Sequence, residues 1–582
     1  MVHLSLTASS VLVPLAYAVL FVLLLAPGYL AARGIVRRYG FDRAATLPIA
    51  YAVTAVAGYA VFWCYFFKPE LGRAVSTAWI ASAIVAIVSM RRARISREEA
   101  VPIALTFLAG LFYLAVLYLP GTTIDAAQRF FVVRPQDNIV PRLFAEHLFQ
   151  GVNLRDHFLG DWQTSDRPPL QTAILLLVRP VFGWLAIDPN TGYEIGGAVA
   201  QLAWLPAAWL LCARAGFSPR QRAFVLAFMV FSGFFLYNTV YTWPKLLAAG
   251  MSITALVFAV TPSPRRPANI VLAGVFAALA LLAHGGAVFF LVPAFVLAMA
   301  LRRIALSPAL AWGAVAGVVL LLPWSAYQRF YEPPGDWLLK IHLAGIPNVD
   351  PRPAGVAIRQ VYSETPPGVI LHNKLANVET AVGVAPLLAS ATDGEPLGAV
   401  SLWRLREREH VPAALGVLNL GWLVLPWWFA RSGDRNARKA GGALLAIALA
   451  STLFWCLVMW GPGMTTTTHS AYALESILFV ALAAAVAALP LRFASVVLAL
   501  AVVDLVVTWV AGSLGDAWRV SPSLDPVMAL IALATAAAMA AVLALDARTN
   551  EPWQGTIDAH DRNVHAIDRR AVEPAPDAPG ER

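Results

Sequence analysis

One polar segment, residues 122–171, lies between two strongly hydrophobic stretches and holds the side chains best suited to chemistry. Asp137 stands near its start, and the run Ser165-Asp166-Arg167-Pro168-Pro169-Leu170 stands near its end. Ionised side chains are costly beside hydrocarbon, so a membrane protein that keeps several of them next to its helix ends uses them on a polar substrate. We therefore expect the reactive groups of this protein to lie in this segment.

Asp137 precedes residues 139–150, whose apolar spacing is that of a short amphipathic helix. A carboxylate at the mouth of such a helix could accept a proton from an incoming hydroxyl or amine. Capping the helix is the simpler role, and Asp fills it routinely. Spacing alone leaves both interpretations open.

The second motif places an acid, a base and two prolines directly before an apolar helix. Pro168 has a fixed backbone geometry and restricts the residue before it, so Arg167 should be extended and point in a defined direction. The alternative is a rigid helix boundary in which Asp166 and Arg167 form a solvated ion pair.

Composition sets the class of protein. The chain has 582 residues, of which 59% are hydrophobic and 13% charged, and this excludes a soluble globular protein. The net charge of +9 comes from Arg and Lys in short loops between apolar runs, where membrane orientation explains them better than nucleic-acid binding. The three cysteines lie in or beside apolar runs without the spacing of a disulfide framework or a zinc site.

The apolar runs predict an all-α fold, a polytopic transmembrane helical bundle of about fifteen spans. The spans are expected near residues 8–30, 44–66, 74–90, 100–120, 192–214, 222–237, 244–260, 269–283, 286–301, 308–324, 411–430, 441–461, 471–489, 492–513 and 525–545. The basic clusters then fall on one side, which the positive-inside rule assigns to the cytoplasm. On the opposite, external side we expect the segment 122–171, the turn at 241–245, the long insert 325–410 and the turn at 460–470.

One apolar stretch, residues 170–187, is long enough to span but contains Arg179 and Pro180. Counting it as a span would move the basic cluster around residues 214–222 to the external side. We therefore predict an external juxtamembrane helix that lies at the membrane interface.

The predicted domain organisation follows from these runs. We expect additional N-terminal transmembrane helices in 1–91, a catalytic membrane core in 92–324 with an external loop at 121–191, an external insert at 325–410, C-terminal transmembrane helices in 411–546, and a disordered cytoplasmic tail at 547–582.

The motifs of the external loop, taken together, resemble those of membrane glycosyltransferases of the GT-C superfamily, especially the aminoarabinose transferase and protein O-mannosyltransferase branch. In that branch an Asp-Glu pair opens the loop, a helix with Ala-Glu follows, and Gly-Asp-Trp and acid-Lys/Arg-Pro-Pro-Leu come next. This chain has, in the same order, Asp137-Asn138, Phe144-Ala145-Glu146, Gly160-Asp161-Trp162 and Asp166-Arg167-Pro168-Pro169-Leu170. The resemblance is specific over residues 100–190 and continues as a hydropathy pattern to about residue 490.

Two positions depart from the family pattern. Asn138 stands where the family commonly has a second acid, so metal dependence stays open; a divalent cation would need oxygen ligands such as Asp161, Asp166 or Glu146. His284 stands where relatives often have Thr-Lys-Gly, so it either replaces a basic residue or is a packing histidine. No cofactor is certain.

The resemblance implies an inverting glycosyltransferase that moves a sugar from a polyprenyl-phosphate donor to a lipid, glycan or protein acceptor. It would act on the periplasmic face of a bacterial inner membrane, with membrane lipids as partners and no nucleic acid. The implied catalytic residues are Asp137, Asp166 and Arg167. The implied substrate-binding residues are Arg134, Asn138, Arg142, Glu146, Asp161, Trp162, Tyr241, Lys245, His284 and His469.

Three alternatives remain. The aromatic-rich turns that hold Tyr241, Lys245 and His469 are also typical of residues that anchor a protein at the lipid headgroups. A transporter or lipid flippase would use external acids and cations to line a vestibule, although no internal repeat is evident. A surface-glycan polymerase or ligase would also take lipid-linked donors.

Overall fold

In the computed structural model the chain is almost entirely helical, which confirms the predicted all-α fold. The structure describes residues 3–4, 8–91, 94–121, 136–155, 162–261, 266–304, 307–333, 335–383, 410–431, 435–461, 472–511 and 523–548. The predicted cytoplasmic tail beyond residue 548 and the end of the external insert, residues 384–409, lie outside these ranges.

Twenty-four α-helices are described, and they are numbered here in chain order. They are α1 Ser9–Tyr39, α2 Thr46–Phe67, α3 Pro69–Met90, α4 Arg97–Leu117, α5 Val140–Gln150, α6 Leu170–Leu176, α7 Arg179–Trp184, α8 Pro189–Gln201, α9 Trp204–Arg214, α10 Pro219–Val230, α11 Gly233–Val240, α12 Lys245–Val260, α13 Arg266–Ala283, α14 Val288–Ala300, α15 Pro308–Ala326, α16 Trp337–Ala344, α17 Ala354–Glu364, α18 Pro367–Val382, α19 Val411–Leu415, α20 Leu420–Arg431, α21 Arg435–Val458, α22 Tyr472–Ala487, α23 Leu491–Asp504 and α24 Pro526–Ala547.

Shorter elements join them. The 3₁₀ turns are Arg43–Ala45, Gln136–Ile139, Thr164–Asp166, Gly285–Ala287 and Gly416–Asn419, and the π-helical turns are Tyr327–Tyr331 and Leu505–Ala511. Two parallel two-residue strands, β1 His3–Leu4 and β2 Ser523–Leu524, bring the start of the chain beside the segment before α24.

The membrane-spanning helices fall into three groups within the described ranges. Ten helices are long and apolar enough to cross a membrane, and one further pair, α10 with α11, passes the same test together but is bent by 55°. Four shorter apolar helices are α12, most of α13, α14 and α22. A 16-residue helix reaches only about 24 Å, less than the ~30 Å hydrocarbon core, so the short helices span only where the bilayer thins or neighbours cover their ends. The protein is a multi-pass membrane protein. The described residues hold ten helices long enough to span, or eleven if the bent pair is one span, where about fifteen spans are predicted.

Small residues allow the helices to approach closely. A Cβ atom on Gly274 of α13 would lie 2.0 Å from the carbonyl oxygen of Gly313 on α15, and one on Gly313 would lie 2.6 Å from the carbonyl oxygen of Ile270. Helices in a membrane associate through such close van der Waals packing because lipid offers no hydrophobic drive for their contact. These glycines therefore fix how α15, and the π-helical turn that follows it, sit against α13.

Ion pairs tie together helix ends on the side predicted to be cytoplasmic. Asp546 at the end of α24 accepts three hydrogen bonds from Arg222, the shortest at 2.8 Å, and pairs with Arg97 at 3.1 Å. Arg33 pairs with Glu99 at 3.1 Å, across the ends of α1 and α4. The basic residues of this side therefore also have a structural role that orientation alone does not require.

The stretch 170–187 is helical, as predicted, but it is not one continuous helix. It forms two short helices, α6 and α7, and residues 170–182 are buried inside the protein. The helix is interrupted at residues 177–178 because Pro180 cannot donate the backbone hydrogen bond that a continuous helix would need, and Pro180 stands instead in the first turn of α7. Arg179 is accommodated by a two-point ion pair with Glu146 of α5, in which the Nη2 to Oε2 distance is 2.9 Å.

Candidate active site

The turn that carries Asp166 and Arg167 is held by residues at the far end of α15. The Glu332 carboxylate accepts a hydrogen bond from the backbone N–H of Ser165 at 2.8 Å and another from the hydroxyl of Thr164. The amide of Gln328 donates to the carbonyl oxygen of Ser165 at 2.9 Å. Gln328 belongs to the π-helical turn Tyr327–Tyr331, a local distortion that is frequent at functional sites. Gln328 and Glu332, which follow α15, therefore hold the turn that carries Asp166 and Arg167 in place.

Asp166 is a buried acid with an altered proton affinity. One carboxylate oxygen accepts the backbone N–H of Gln163 at 2.9 Å, and among the described residues the other has no hydrogen-bond partner. Burial, together with the negative charges of Glu332 and Asp336, raises the pKa of Asp166 to about 7, although the Gln163 hydrogen bond acts in the opposite direction. At neutral pH this carboxyl group therefore keeps its proton in about half of the molecules.

Arg167 points to a different set of neighbours. Its backbone is extended, with φ −118° and ψ 129°, as the following proline predicts. The guanidinium carbon lies 4.8 Å from the ring centroid of Trp162 and 5.9 Å from that of Trp243, and Nη1 is 3.5 Å from Nε2 of His284. Burial lowers the pKa of Arg167 to about 10, so the side chain is still charged at neutral pH.

Lys245 brings a second buried cation to the same place. It is the first residue of α12 and only 1% exposed, and its ammonium lies 3.0 Å from the ring centroid of Trp243. A lysine that snorkels to lipid headgroups would hold its ammonium in water, so this burial argues against that interpretation. Thr242, three residues before Lys245, adopts a positive φ of 56°, a strained conformation typical of functional turns.

Two histidines stand beside these cations. His284 accepts a hydrogen bond at Nδ1 from the backbone N–H of Gly286 at 3.0 Å, so in the neutral ring Nε2 carries the proton. His342 comes from α16 of the external insert, and burial together with the charges of Arg167 and Lys245 lowers its pKa to about 4. His342 is therefore neutral at neutral pH.

Sequence reasoning did not identify His342 or Glu332. Neither residue belongs to a recognisable motif, and both lie in the insert at 325–410, which is too long for an ordinary connection. The available signal was the length of the insert, because long ordered insertions commonly cover a functional site.

Asn138 and Tyr241 connect the start of the external loop to the turn before α12. The side-chain amide of Asn138 donates to the carbonyl oxygen of Tyr241 at 3.2 Å, and both residues are buried. The 3₁₀ turn Gln136–Ile139 therefore lies against the turn that leads into Lys245. Trp162 packs edge-on against Trp337 of α16, with ring centroids 5.2 Å apart, so the insert also contacts the loop.

Two predicted substrate-binding residues have other partners. Glu146 binds Arg179 and also accepts a hydrogen bond from Gln150 at 3.1 Å. Arg142 donates to the side chain of Asn190 at the start of α8. These contacts explain both side chains as packing of α5 against its neighbours.

Several predicted residues lie outside the described part of the chain: Arg134, Asp161, His469 and the side chain of Asp137. Within the described part, no group of three or more His, Cys, Asp or Glu side chains is arranged to hold a metal ion. Asp161 and the Asp137 carboxylate, two oxygen groups at the end and start of the loop, lie outside that part.

The cluster is suited to an anion that carries an uncharged polar ring. Two buried cations share one indole ring, and low local polarity strengthens their attraction for negative charge. The indole ring of Trp162 is partly exposed, and a flat ring of this kind packs well against a sugar ring or a lipid stem. A cleaved bond that releases negative charge here would be stabilised by groups already in place.

No protein-family model and no curated protein matches the chain. A solved structure that is similar to it is the crystal structure of ArnT from Cupriavidus metallidurans bound to undecaprenyl phosphate, with 12% sequence identity, a TM-score of 0.43, and coverage of 82% of this chain and 81% of that chain. ArnT is an aminoarabinose transferase of the GT-C type, the class that the sequence motifs resemble. A likeness at that TM-score carries no argument about the function of this chain.

Proposed function

We propose that this protein is an inverting glycosyltransferase that moves a sugar from a polyprenyl-phosphate donor to an acceptor on the periplasmic face of a bacterial inner membrane. The observation that carries the proposal is the convergence of Arg167 and Lys245, both buried, on the ring of Trp243. The acceptor and the sugar, whether hexose or pentose, are left unspecified.

The charge balance of the reaction explains why two cations would serve it. The donor phosphodiester carries one negative charge, and the departing polyprenyl phosphate gains a second when the bond to the anomeric carbon breaks. Arg167 and Lys245 would stabilise that added charge in the transition state more than the single charge in the donor. The Nε2–H group of His284 could donate a hydrogen bond to a phosphate oxygen beside Arg167. A phosphate leaving group needs no protonation.

Asp137 is our proposed general base. The acceptor oxygen or nitrogen would attack the anomeric carbon from the face opposite the phosphate, and its proton would pass to the Asp137 carboxylate. The support is the backbone position: Asp137 directly precedes Asn138, whose amide binds the turn that leads into Lys245. One displacement of this kind inverts the configuration at the anomeric carbon.

Asp166 fits a positioning role better than that of a second base. Its carboxylate closes the 3₁₀ turn by accepting the backbone N–H of Gln163, and its pKa of about 7 leaves it partly protonated. The same turn presents Arg167 toward Trp162 and Trp243. Asp166 and Glu332 would therefore set the direction of the phosphate-binding arginine.

The direct test measures transfer by the purified protein in lipid nanodiscs, with a panel of radiolabelled polyprenyl-phosphate hexoses and pentoses and a membrane extract as acceptor. Asp137→Asn should lower the transfer rate by roughly 10²- to 10⁴-fold, the usual contribution of a general base. Asp188→Asn is the matched control, since Asp188 caps α8 at an exposed position.

Parent-level transfer by Asp137→Asn would remove the proposed base. Movement of the labelled lipid across the bilayer without a new glycosidic bond would favour a transporter or flippase instead. Growth of a polymer on the lipid carrier would identify the polymerase alternative.

A further inference from the structure

Helix α18, Pro367–Val382 of the external insert, exposes an apolar stripe. Leu371, Leu375, Val378 and Val382 are 61%, 60%, 41% and 50% exposed. Their spacing of four, three and four residues places them on one face of the helix. This set of four residues is called the outer stripe below.

The opposite face of α18 packs against the protein and holds both apolar and polar residues, among them the buried Ala381. Asn377 is fully buried and donates to the carbonyl oxygens of Cys456 and Met459 at 3.1 and 3.0 Å. Lys374 donates to the same Met459 carbonyl and to the hydroxyl of Tyr362. A helix on a water-exposed surface directs polar residues outward. The exposed outer stripe therefore indicates that the medium beside this face of α18 is apolar.

The position of α18 identifies that medium. Its inner face binds the end of α21, Arg435–Val458, which is one of the helices long and apolar enough to cross the membrane. A helix that packs on the last turn of a span lies at the level of the bilayer surface. α21 itself exposes Leu449, Leu453 and Leu457 along one side, which is the pattern of a lipid-facing span.

A cation with aromatic neighbours marks the same level. The Lys374 ammonium lies 5.5 Å from the ring centroid of Tyr362 and 6.0 Å from that of Trp460. Lysine, tyrosine and tryptophan concentrate where acyl chains meet headgroups, because each has an apolar body and a polar tip. These residues lie beside α18 and not farther along the insert.

We propose that α18 lies in the bilayer surface, with the outer stripe buried among the acyl chains of the leaflet that surrounds the Val458 end of α21. This inference does not depend on the proposed function. It has a consequence for the candidate active site, because the segment 459–460 contacts α16 as well as α18. The backbone N–H of Trp460 donates to the carbonyl oxygen of His342 at 2.8 Å. Lipid contact at α18 would thereby fix the height of His342 relative to the bilayer.

The first experiment places a nitroxide spin label at residue 375 or 378, in a chain whose three native cysteines are replaced, and measures its collisions with oxygen and with a water-soluble nickel chelate in liposomes. The control label is at Arg359, an exposed residue of α17. Labels on the outer stripe should show a severalfold higher ratio of oxygen to nickel collisions than the control.

Equal nickel accessibility at the two positions would show that the outer stripe is in water and overturn the proposal. Protection from both reagents would also overturn it, since a protein segment or a second copy of the chain would then cover the helix. If the cysteine replacements disturb folding, the unmodified protein is tested with lipids that carry a shallow photoactivated carbene. Carbene adducts should appear in the peptide containing residues 371–382, and their absence there beside adducts on α21 would reject the inference.

Discussion

Replacing Arg167 with methionine tests the proposed phosphate site most directly. Methionine keeps much of the volume between Trp162 and Trp243 but removes the charge and the planar donor fork. Because the side chain is 9% exposed, few waters can take its place when phosphate binds. The variant should therefore lose transfer through electrostatics and not through a large packing defect.

The expected size of the loss follows from burial. Burial lowers the pKa of the Arg167 guanidinium to about 10, which corresponds to roughly 3 kcal/mol against the charged form. A bound phosphate would recover an attraction of that order, and removing one charged partner from a buried contact costs about 2 to 5 kcal/mol. Lys245 remains beside Trp243 and keeps part of the attraction. We expect a loss of about 3 kcal/mol, or ~150-fold in kcat/KM.

We also expect the loss of kcat/KM to divide unequally between kcat and the donor KM. The transition state carries more negative charge on the phosphate than the donor does, so kcat should fall more than donor KM rises. Arg167→Lys keeps the charge without the fork and should be intermediate. Transfer of a radiolabelled donor in nanodiscs, over a range of donor concentrations, measures both constants. Arg359→Met, on the exposed side of α17, is the matched control.

A kcat/KM of Arg167→Met close to that of the parent, with the same thermal unfolding profile, would refute the reasoning. So would a loss that appears in KM alone, because it would mean that the arginine binds donor and transition state equally.

Three further predictions concern the surroundings of the site. The raised pKa of Asp166 means that, between the two pKa values, the folded protein holds a proton that the unfolded chain releases. Thermal stability should therefore fall as pH rises from about 4 to about 7 and then level off. Asp166→Asn should flatten this pH dependence, which differential scanning fluorimetry measures. Glu332→Gln removes the charge that binds the backbone of the turn and should lower kcat/KM by about tenfold, the value of one charge-assisted hydrogen bond. It should also move the midpoint of the pH-dependent change in thermal stability to lower pH. Glu364→Gln at the exposed end of α17 is its control, and equal activities of the two variants would reject the positioning role. Gly274→Ala would place a Cβ atom 2.0 Å from a carbonyl oxygen of α15 and should destabilise the protein by about 1 to 3 kcal/mol, whereas Gly34→Ala, with open space around it, should not lower the unfolding temperature.

Most of the fold was predictable from sequence, because hydropathy and charge report directly on contact with lipid and on membrane orientation. The burial of residues 170–182 was not, because an apolar composition is the same whether a segment touches lipid or the interior of the protein. Only the packing of α6 between α2, α5 and α8, and the ion pair between Arg179 and Glu146, distinguishes the two cases.

The candidate active site likewise has some features that the sequence predicts and others that only the packing decides. The run from Asp166 to Pro169 determines an extended arginine at the mouth of a helix, since the restriction imposed by proline is local. That Arg167 meets Lys245 at one indole ring is decided by the packing of elements more than seventy residues apart, as is the contact of Glu332 with Ser165. Burial and neighbouring charge, which hold a proton on Asp166 and remove one from His342, exist only after those elements assemble. Amino-acid order alone therefore specifies which groups are present and how each is presented locally, whereas their mutual distances and proton affinities arise from long-range packing in a medium of low polarity.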